Sequence, residues 1–338
     1  MKKNLLFRTA LFTTLLGIVV VLLGGYVRLS DAGLGCPDWP GCYGRMVVPD
    51  TNTEVALANA AFPERPLEID KAWKEMVHRY AAGLLGLSIL LMTVLAWRAP
   101  ADNRRQRGVA SFLLALVVFQ ALLGMWTVTH LVKPAIVTSH LFAGFATVAL
   151  AWWIALREAG IQALSGVSEP RLRLPLLVSL VVIIGQVFLG AWTSTNYAAL
   201  GCTAFPGCFP GNAWPEMDFA EAFVIWRSLG VDYEFGVLDA DARAAIHMAH
   251  RIGALVTLAV FSWLITFIYR KARYAVTRKI TWLLVAALAV QIALGITNVL
   301  AGLPIASATA HNGVALLLIL ILVTLLSVAA RYKENEDV

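Results

Sequence analysis

His78, His140, His250 and His311 are the residues of this sequence best suited to chemistry, because each has a counterpart in kind. His140 and His311 stand 171 residues apart, and the dipeptides His78-Arg79 and His250-Arg251 stand 172 apart. A neutral imidazole offers one ring nitrogen to a metal while the other donates a hydrogen bond, so two matched pairs are two candidate two-nitrogen ligand sets. Glu75 precedes His78 by three residues and shares its helical face. It can therefore act on whatever His78 holds, and a carboxylate so placed is a candidate general base. His247 takes that place in the second copy. Three roles are open to it: alternative ligand, hydrogen-bond partner of the site, or exposed side chain. Arg79 and Arg251, each beside a candidate ligand, suit an anionic group of a bound molecule, or simply snorkel to an interface.

The repeat is not confined to histidines. Gly35-Cys36-Pro37-Asp38-Trp39-Pro40-Gly41-Cys42 aligns with Gly201-Cys202-Thr203-Ala204-Phe205-Pro206-Gly207-Cys208 at an offset of 166, and Gln120-Ala121-Leu122-Leu123-Gly124 with Gln291-Ile292-Ala293-Leu294-Gly295 at 171. The chain thus reads as two tandem units, residues 1–165 and 166–338. Cys36, Cys42, Cys202 and Cys208 are the only cysteines. Two local disulfides are the favoured pairing, with a zinc site built from four thiolates as the alternative. Loop stapling and a reducible electron relay are both open roles for the disulfides.

The elements that must position these residues are membrane helices. Hydrophobic residues make up 59% of the chain and charged residues 14%, with a mean hydropathy of +0.73, well outside the range of soluble domains. That excludes disorder, coiled coil and nucleic acid as a partner, and makes membrane lipid one. Cutting at charges predicts spans at 9–27, 77–97, 108–129, 134–156, 174–195, 248–269, 280–301 and 305–330, the last two separated by Gly302-Leu303-Pro304. The first span also fits a cleaved signal peptide, although its place in the repeat favours a retained helix. With a cytoplasmic N-terminus, 17 of the 27 Lys and Arg fall inside and 15 of the 21 Asp and Glu outside. This positive-inside pattern puts both termini in the cytoplasm and the long loops, 28–76 and 196–247, on the outer or periplasmic face of a bacterial-type inner membrane. The expected fold is all-α: eight transmembrane helices as two pseudo-symmetric four-helix bundles, inserted in parallel.

In that frame the four histidines lie near the outer ends of the second and fourth helices of each unit. His140 follows Pro134 by six residues, roughly 9 Å into its helix. Ionisable side chains at such depth usually face the bundle interior and serve a function. Two imidazoles facing each other across a four-helix bundle suit the two axial positions of a haem, with zinc or copper as the competing metals. Gln120, Gln291, Thr127 and Asn298 read as polar positions bonding between helices. Trp39, Trp73, Trp126 and Trp214 suit an interface belt. His130, beside Lys133 in a short outer loop, reads as solvated, and the acidic stretch 209–245 with Trp226 is either a partner surface or a plain loop.

The duplicated halves, Glu75-x-x-His78-Arg79, the four matched histidines, Gly33-Leu34-Gly35-Cys36-Pro37-Asp38-Trp39-Pro40-Gly41-Cys42 and Thr138-Ser139-His140 together resemble the heme A synthase family of cytochrome oxidase assembly proteins, over nearly the whole chain. The resemblance implies oxidation of the C8 methyl of heme O to a formyl group, giving heme A, by two hydroxylations and loss of water. It implies heme O between His78 and His140 near Glu75, and haem b between His250 and His311. It further implies Arg79 and Arg251 at propionates, Glu75 as base, electrons leaving through the haem b half to an unspecified acceptor, and heme O synthase as upstream partner. A homo-oligomer is compatible with it. His130 and His247 are additional to the family pattern and leave the second-half ligand open. A bis-histidine electron-transfer cytochrome and a haem transporter are the rival readings, and Glu75 in one copy alone weighs against the first.

Overall fold

The computed structural model describes residues 5–99, 104–160 and 169–329. Both termini and the expected boundary at 165/166 lie outside the described residues. Among those described, every regular element is a helix: α1 Leu5–Leu29, α2 Asn52–Ala61, α3 Ile69–Arg98, α4 Arg104–Thr129, α5 Pro134–Glu158, α6 Arg173–Thr195, α7 Phe219–Ala222, α8 Ala240–Lys271, α9 Ala275–Leu300 and α10 Ile305–Ala329. Eight are long and apolar enough to cross a membrane, all except α2 and α7.

The largest departure from the expected spans is at α3 and α8, which start at Ile69 and Ala240, eight residues before the expected 77 and 248. The extra turns are charged but helical. Lys74 Nζ lies 2.5 Å from Asp70 Oδ2 and Lys71 Nζ 2.8 Å from Glu68 Oε1, pairs that a helix surface accommodates at these spacings. A charge limits an apolar run, not a helix. The consequence is that Glu75 and His78 sit about 1.7 and 2.5 turns inside α3, on rigid backbone.

Helix α1 packs on α3 and α5, and α4 on the same two; α6 packs on α8 and α10, and α9 on α10 and α8. Leu6, Ala10, Leu85, Ile89, Leu113 and Ile154 fill the first group, and Ile183, Val187, Phe261, Leu284, Leu318 and Leu322 lie in the second. The two groups join through α1 on α10 and through α5 on α6 and α10. Since lipid is as apolar as these side chains, close packing rather than water exclusion holds the helices together. α1 is thus a packed member of the bundle.

The two long loops are built onto these helices. Tyr43, Val48, Ala58, Ala72 and Met76 form a cluster around Cys36 and Cys42 that seats the first loop on α3. Tyr43 donates to the Arg65 carbonyl at 3.0 Å, and burial pushes its phenol up to about 12, so it remains a donor at any physiological pH. The second loop crosses to the first half. Arg65 reaches Asp232 at 2.6 Å and Glu234 at 2.9 Å, the Tyr233 N–H donates to the Leu131 carbonyl at 3.1 Å, and Trp226 covers Lys133, whose Nζ is 3.6 Å from the ring centroid. The acidic stretch is therefore an internal brace. The same fold-back leaves His130 half-buried in a groove with Trp126, Ile225 and Trp226 rather than solvated.

On the opposite side, buried Glu169 accepts from the N–H groups of Arg273 at 3.0 Å and Tyr274 at 3.3 Å and from the Thr277 hydroxyl at 3.3 Å. A carboxylate there satisfies orphan donors at the start of α9 and complements its dipole. Glu169→Ala is expected to cost about 1.5–3 kcal/mol, read as a lowered unfolding midpoint in detergent, whereas Glu169→Gln keeps most of the stability.

Candidate functional site

Each of the four histidines lies against a glycine on a neighbouring helix. A Cβ built on Gly24 of α1 would come within 2.9 Å of His78 Cε1 on α3, and one on Gly124 of α4 within 3.5 Å of His140 Cε1 on α5. In the second group, Gly190 of α6 meets His250 of α8 and Gly295 of α9 meets His311 of α10, both at 3.1 Å. The glycines recur at 166 and 171 residues, the same offsets as the repeat. An added Cβ would displace the ring at Gly24 and crowd it at Gly190 and Gly295, while at Gly124 it would rest in ordinary contact.

The rings are poised rather than satisfied. Nδ1 of His78, His140 and His311 is buried and has no hydrogen-bond partner. His250 Nδ1 lies 3.0 Å from Gln186 Nε2, and His311 Nε2 lies 3.2 Å from Gln291 Nε2. His140 lies within charge–charge range of His78, and His250 of His311. Buried, unpartnered ring nitrogens are costly unless something binds the ring, and each ring occupies the space that a glycine on the neighbouring helix leaves for it. These residues fit axial ligation of a flat iron macrocycle.

The competing metal readings lose their donors. Cys36 is bonded to Cys42 and Cys202 to Cys208, so no four-thiolate site forms. Among the described residues no group of three or more His, Cys, Asp or Glu gathers as a metal site.

Glu75 and His247 do matching work that their chemistry disguises. Glu75 Oε2 accepts from the Cys36 N–H at 2.9 Å, and His247 Nδ1 accepts from the Cys202 N–H at 3.1 Å. Each thereby ties the first cysteine of a disulfide loop to the helix that carries His78 or His250. The loops also press directly on those helices: a Cβ on Gly35 would lie 2.6 Å from the Lys71 carbonyl carbon, and one on Gly201 2.5 Å from the Arg243 oxygen. Glu75 is buried, and its Oε1 is 2.5 Å from Arg79 Nη2. The arginines complete the clamps. Arg79 Nη1 donates to the carbonyls of Asp38 at 3.0 Å and Gly41 at 2.5 Å; Arg251 Nη1 donates to Gly207 at 2.8 Å and Pro206 at 3.3 Å. Both guanidinium groups thus face loop carbonyls that would otherwise lack partners, where the sequence suggested propionates.

Sequence reasoning aligned Gly124 with Gly295 without giving either a role, and missed the glycines Gly24 and Gly190 as well as Gln186. A search for repeat-matched small residues would have found the former, and an amide in the middle of an apolar span is itself the signal for the latter. Gly24→Ala and Gly190→Ala are each expected to weaken tetrapyrrole binding in their own half by about 10- to 100-fold, as loss of ligand orientation does at metal sites; absorption spectra of the purified variants check this.

The chain matches the cytochrome oxidase assembly protein family COX15-CtaA over residues 7–323. It is 44% identical over 326 residues to a heme A synthase of Shewanella oneidensis, covering 96% of both chains. It is also 23% identical to one of Halalkalibacterium halodurans, covering 96% of both, and 26% identical to one of Rhizobium meliloti, covering 89% of this chain and 83% of the relative. With matched, half-buried imidazoles among eight apolar helices and kinship along nearly its full length, this chain belongs to the cytochrome oxidase assembly protein family.

Proposed function

We propose that this chain oxidises a methyl group of heme O to give heme A, the activity for which its relatives are named. The observation that carries this reading is the kinship over nearly the whole of both chains, and the arrangement of the histidines supports it. In this reading the N-terminal half, residues 1–165, binds heme O between His78 and His140, and the C-terminal half, residues 166–338, binds haem b between His250 and His311. Matched residues meet where the halves join: Arg28 donates to the Ser194 carbonyl at 2.7 Å across 166 residues, and close by in the repeat Trp152 donates to Thr324 Oγ1 at 2.9 Å, one residue beyond its own counterpart Val323. Contact between equivalent residues supports a pseudo-twofold relation between two tandem bundles. The distribution of Lys and Arg supports cytoplasmic termini and periplasmic loops.

The substrate methyl at C8 is oxidised twice, each time losing two electrons and gaining one oxygen, and the resulting geminal diol loses water to leave the formyl group. Haem b, when bound, supplies one-electron redox chemistry. Glu75, oriented by Arg79 and the Cys36 N–H, takes the proton from the water that attacks the oxidised methyl carbon. The disulfide loops, clamped by Arg79 and Arg251, hold the outer ends of α3 and α8 in register. Heme O synthase is the expected upstream partner, since its product is this substrate.

The test is direct. The purified protein, given heme O and a one-electron acceptor, is expected to yield a formyl tetrapyrrole on chromatography of the extracted pigment. Heme O that is bound yet recovered unchanged would contradict the proposal and favour a pure electron-transfer cytochrome.

A further inference from the structure

We propose that Gln186 is a positioning residue that locks the haem of the C-terminal half in place, and that its replacement by Val20 at the matching point leaves the N-terminal half free to exchange its tetrapyrrole. The inference rests on the proposed division between a resident haem and an exchanging substrate. Val20 lies four residues before Gly24, and Gln186 four before Gly190, the two glycines that meet His78 and His250. The halves therefore differ beside one imidazole of each pair.

Gln186 Nε2 stands 3.0 Å from His250 Nδ1 and 3.0 Å from the His250 carbonyl, while its Oε1 is buried without a partner. His250 is thus oriented with Nδ1 toward the amide, leaving Nε2 as the nitrogen for iron. A neutral imidazole bound through Nε2 carries its proton on Nδ1. Rotation of the terminal amide gives up its bond to the His250 carbonyl, which as a carbonyl inside α8 already has its helical partner, and lets Oε1 accept that proton in a hydrogen bond. Such a partner fixes the ring and strengthens its bond to the metal. His78 has no equivalent side-chain partner: Val20 brings only its backbone carbonyl, and His78 Nδ1 is buried without a hydrogen-bond partner.

A second difference accompanies the first. A Cβ on Gly253 would lie 2.2 Å from Gln186 Oε1, so the amide requires glycine there. Gly253 follows His250 by three residues, and the residue three after His78 is Ala81. The amide and the space for it occur together in one half and are missing together from the other. A cofactor that stays needs the stronger hold, and a substrate that must leave as product needs the weaker.

Haem b transfer from the purified protein to excess apomyoglobin tests the proposal. Gln186→Leu is expected to lose about 10- to 100-fold in haem b affinity, while Gln186→Glu, which still accepts from Nδ1–H, retains the haem and lowers its midpoint potential. Val20→Gln with Ala81→Gly is expected to slow release of the N-terminal tetrapyrrole, so that more heme A copurifies; it also serves as the test should Gln186→Leu fail to fold. Haem b held as tightly in Gln186→Leu as in the wild type, or a Val20→Gln, Ala81→Gly variant that releases tetrapyrrole at the wild-type rate, overturns the inference. Wild-type protein without haem b in its C-terminal half would instead remove the functional reading beneath it.

Discussion

Glu75→His is expected to leave the first disulfide loop seated and both tetrapyrroles bound, yet to lower heme A formation by about 10²- to 10⁴-fold, the range for removal of a general base. The second half supplies the reasoning. There an imidazole, His247, already accepts the N–H of the first loop cysteine at 3.1 Å, so an imidazole at position 75 can anchor the first loop in the same way. An imidazole that accepts through Nδ1 carries its proton on Nε2 and has no lone pair left to take one from water. Anchoring survives and basicity does not. Quantified pigments from membranes of the variant, set against its bound haem, separate the two roles. Near-normal heme A would make Glu75 a loop anchor only, equivalent to His247.

The second large effect comes from dividing the four histidines. His250→Ala is expected to remove haem b from the purified protein and stop turnover while heme O still binds in the other half. His78→Ala is expected to do the reverse, keeping haem b and losing the substrate. Removing one imidazole of a pair also leaves the other ring, His311 or His140, beside a vacated slot with its buried Nδ1 unpartnered, a further cost of about 1–3 kcal/mol per unsatisfied group. Pigment chromatography of the two variants checks the assignment, and loss of the same pigment from both would contradict it.

Much of this was legible in the sequence because membrane helices announce themselves through long apolar runs, and because the duplication marks the same residue twice. Cys36, Cys42, Cys202 and Cys208 paired as the spacing suggested. The matched polar pair Gln120 and Gln291 was read as bonding between helices, and Gln291 does so, to His311. What stayed hidden depends on contacts between distant segments. Helix starts at Ile69 and Ala240 were obscured by charges, which at α3 pair along the helix surface. The brace from Asp232 and Glu234 to Arg65, and the cover of Trp226 over Lys133, join parts of the chain that no local pattern connects. The loop carbonyls that Arg79 and Arg251 bind are invisible in a sequence. Glu75 and His247 looked like a chemical difference between the halves, and only the geometry reveals the shared hydrogen bond beneath it.

The most direct measurement is the pigment content of the wild-type protein purified with and without a supply of heme O. Two tetrapyrroles per chain are expected when heme O is supplied, one of them haem b in both preparations and the other heme O or heme A. A colourless protein, or one that holds haem b alone however much heme O is provided, would contradict the paired-imidazole account.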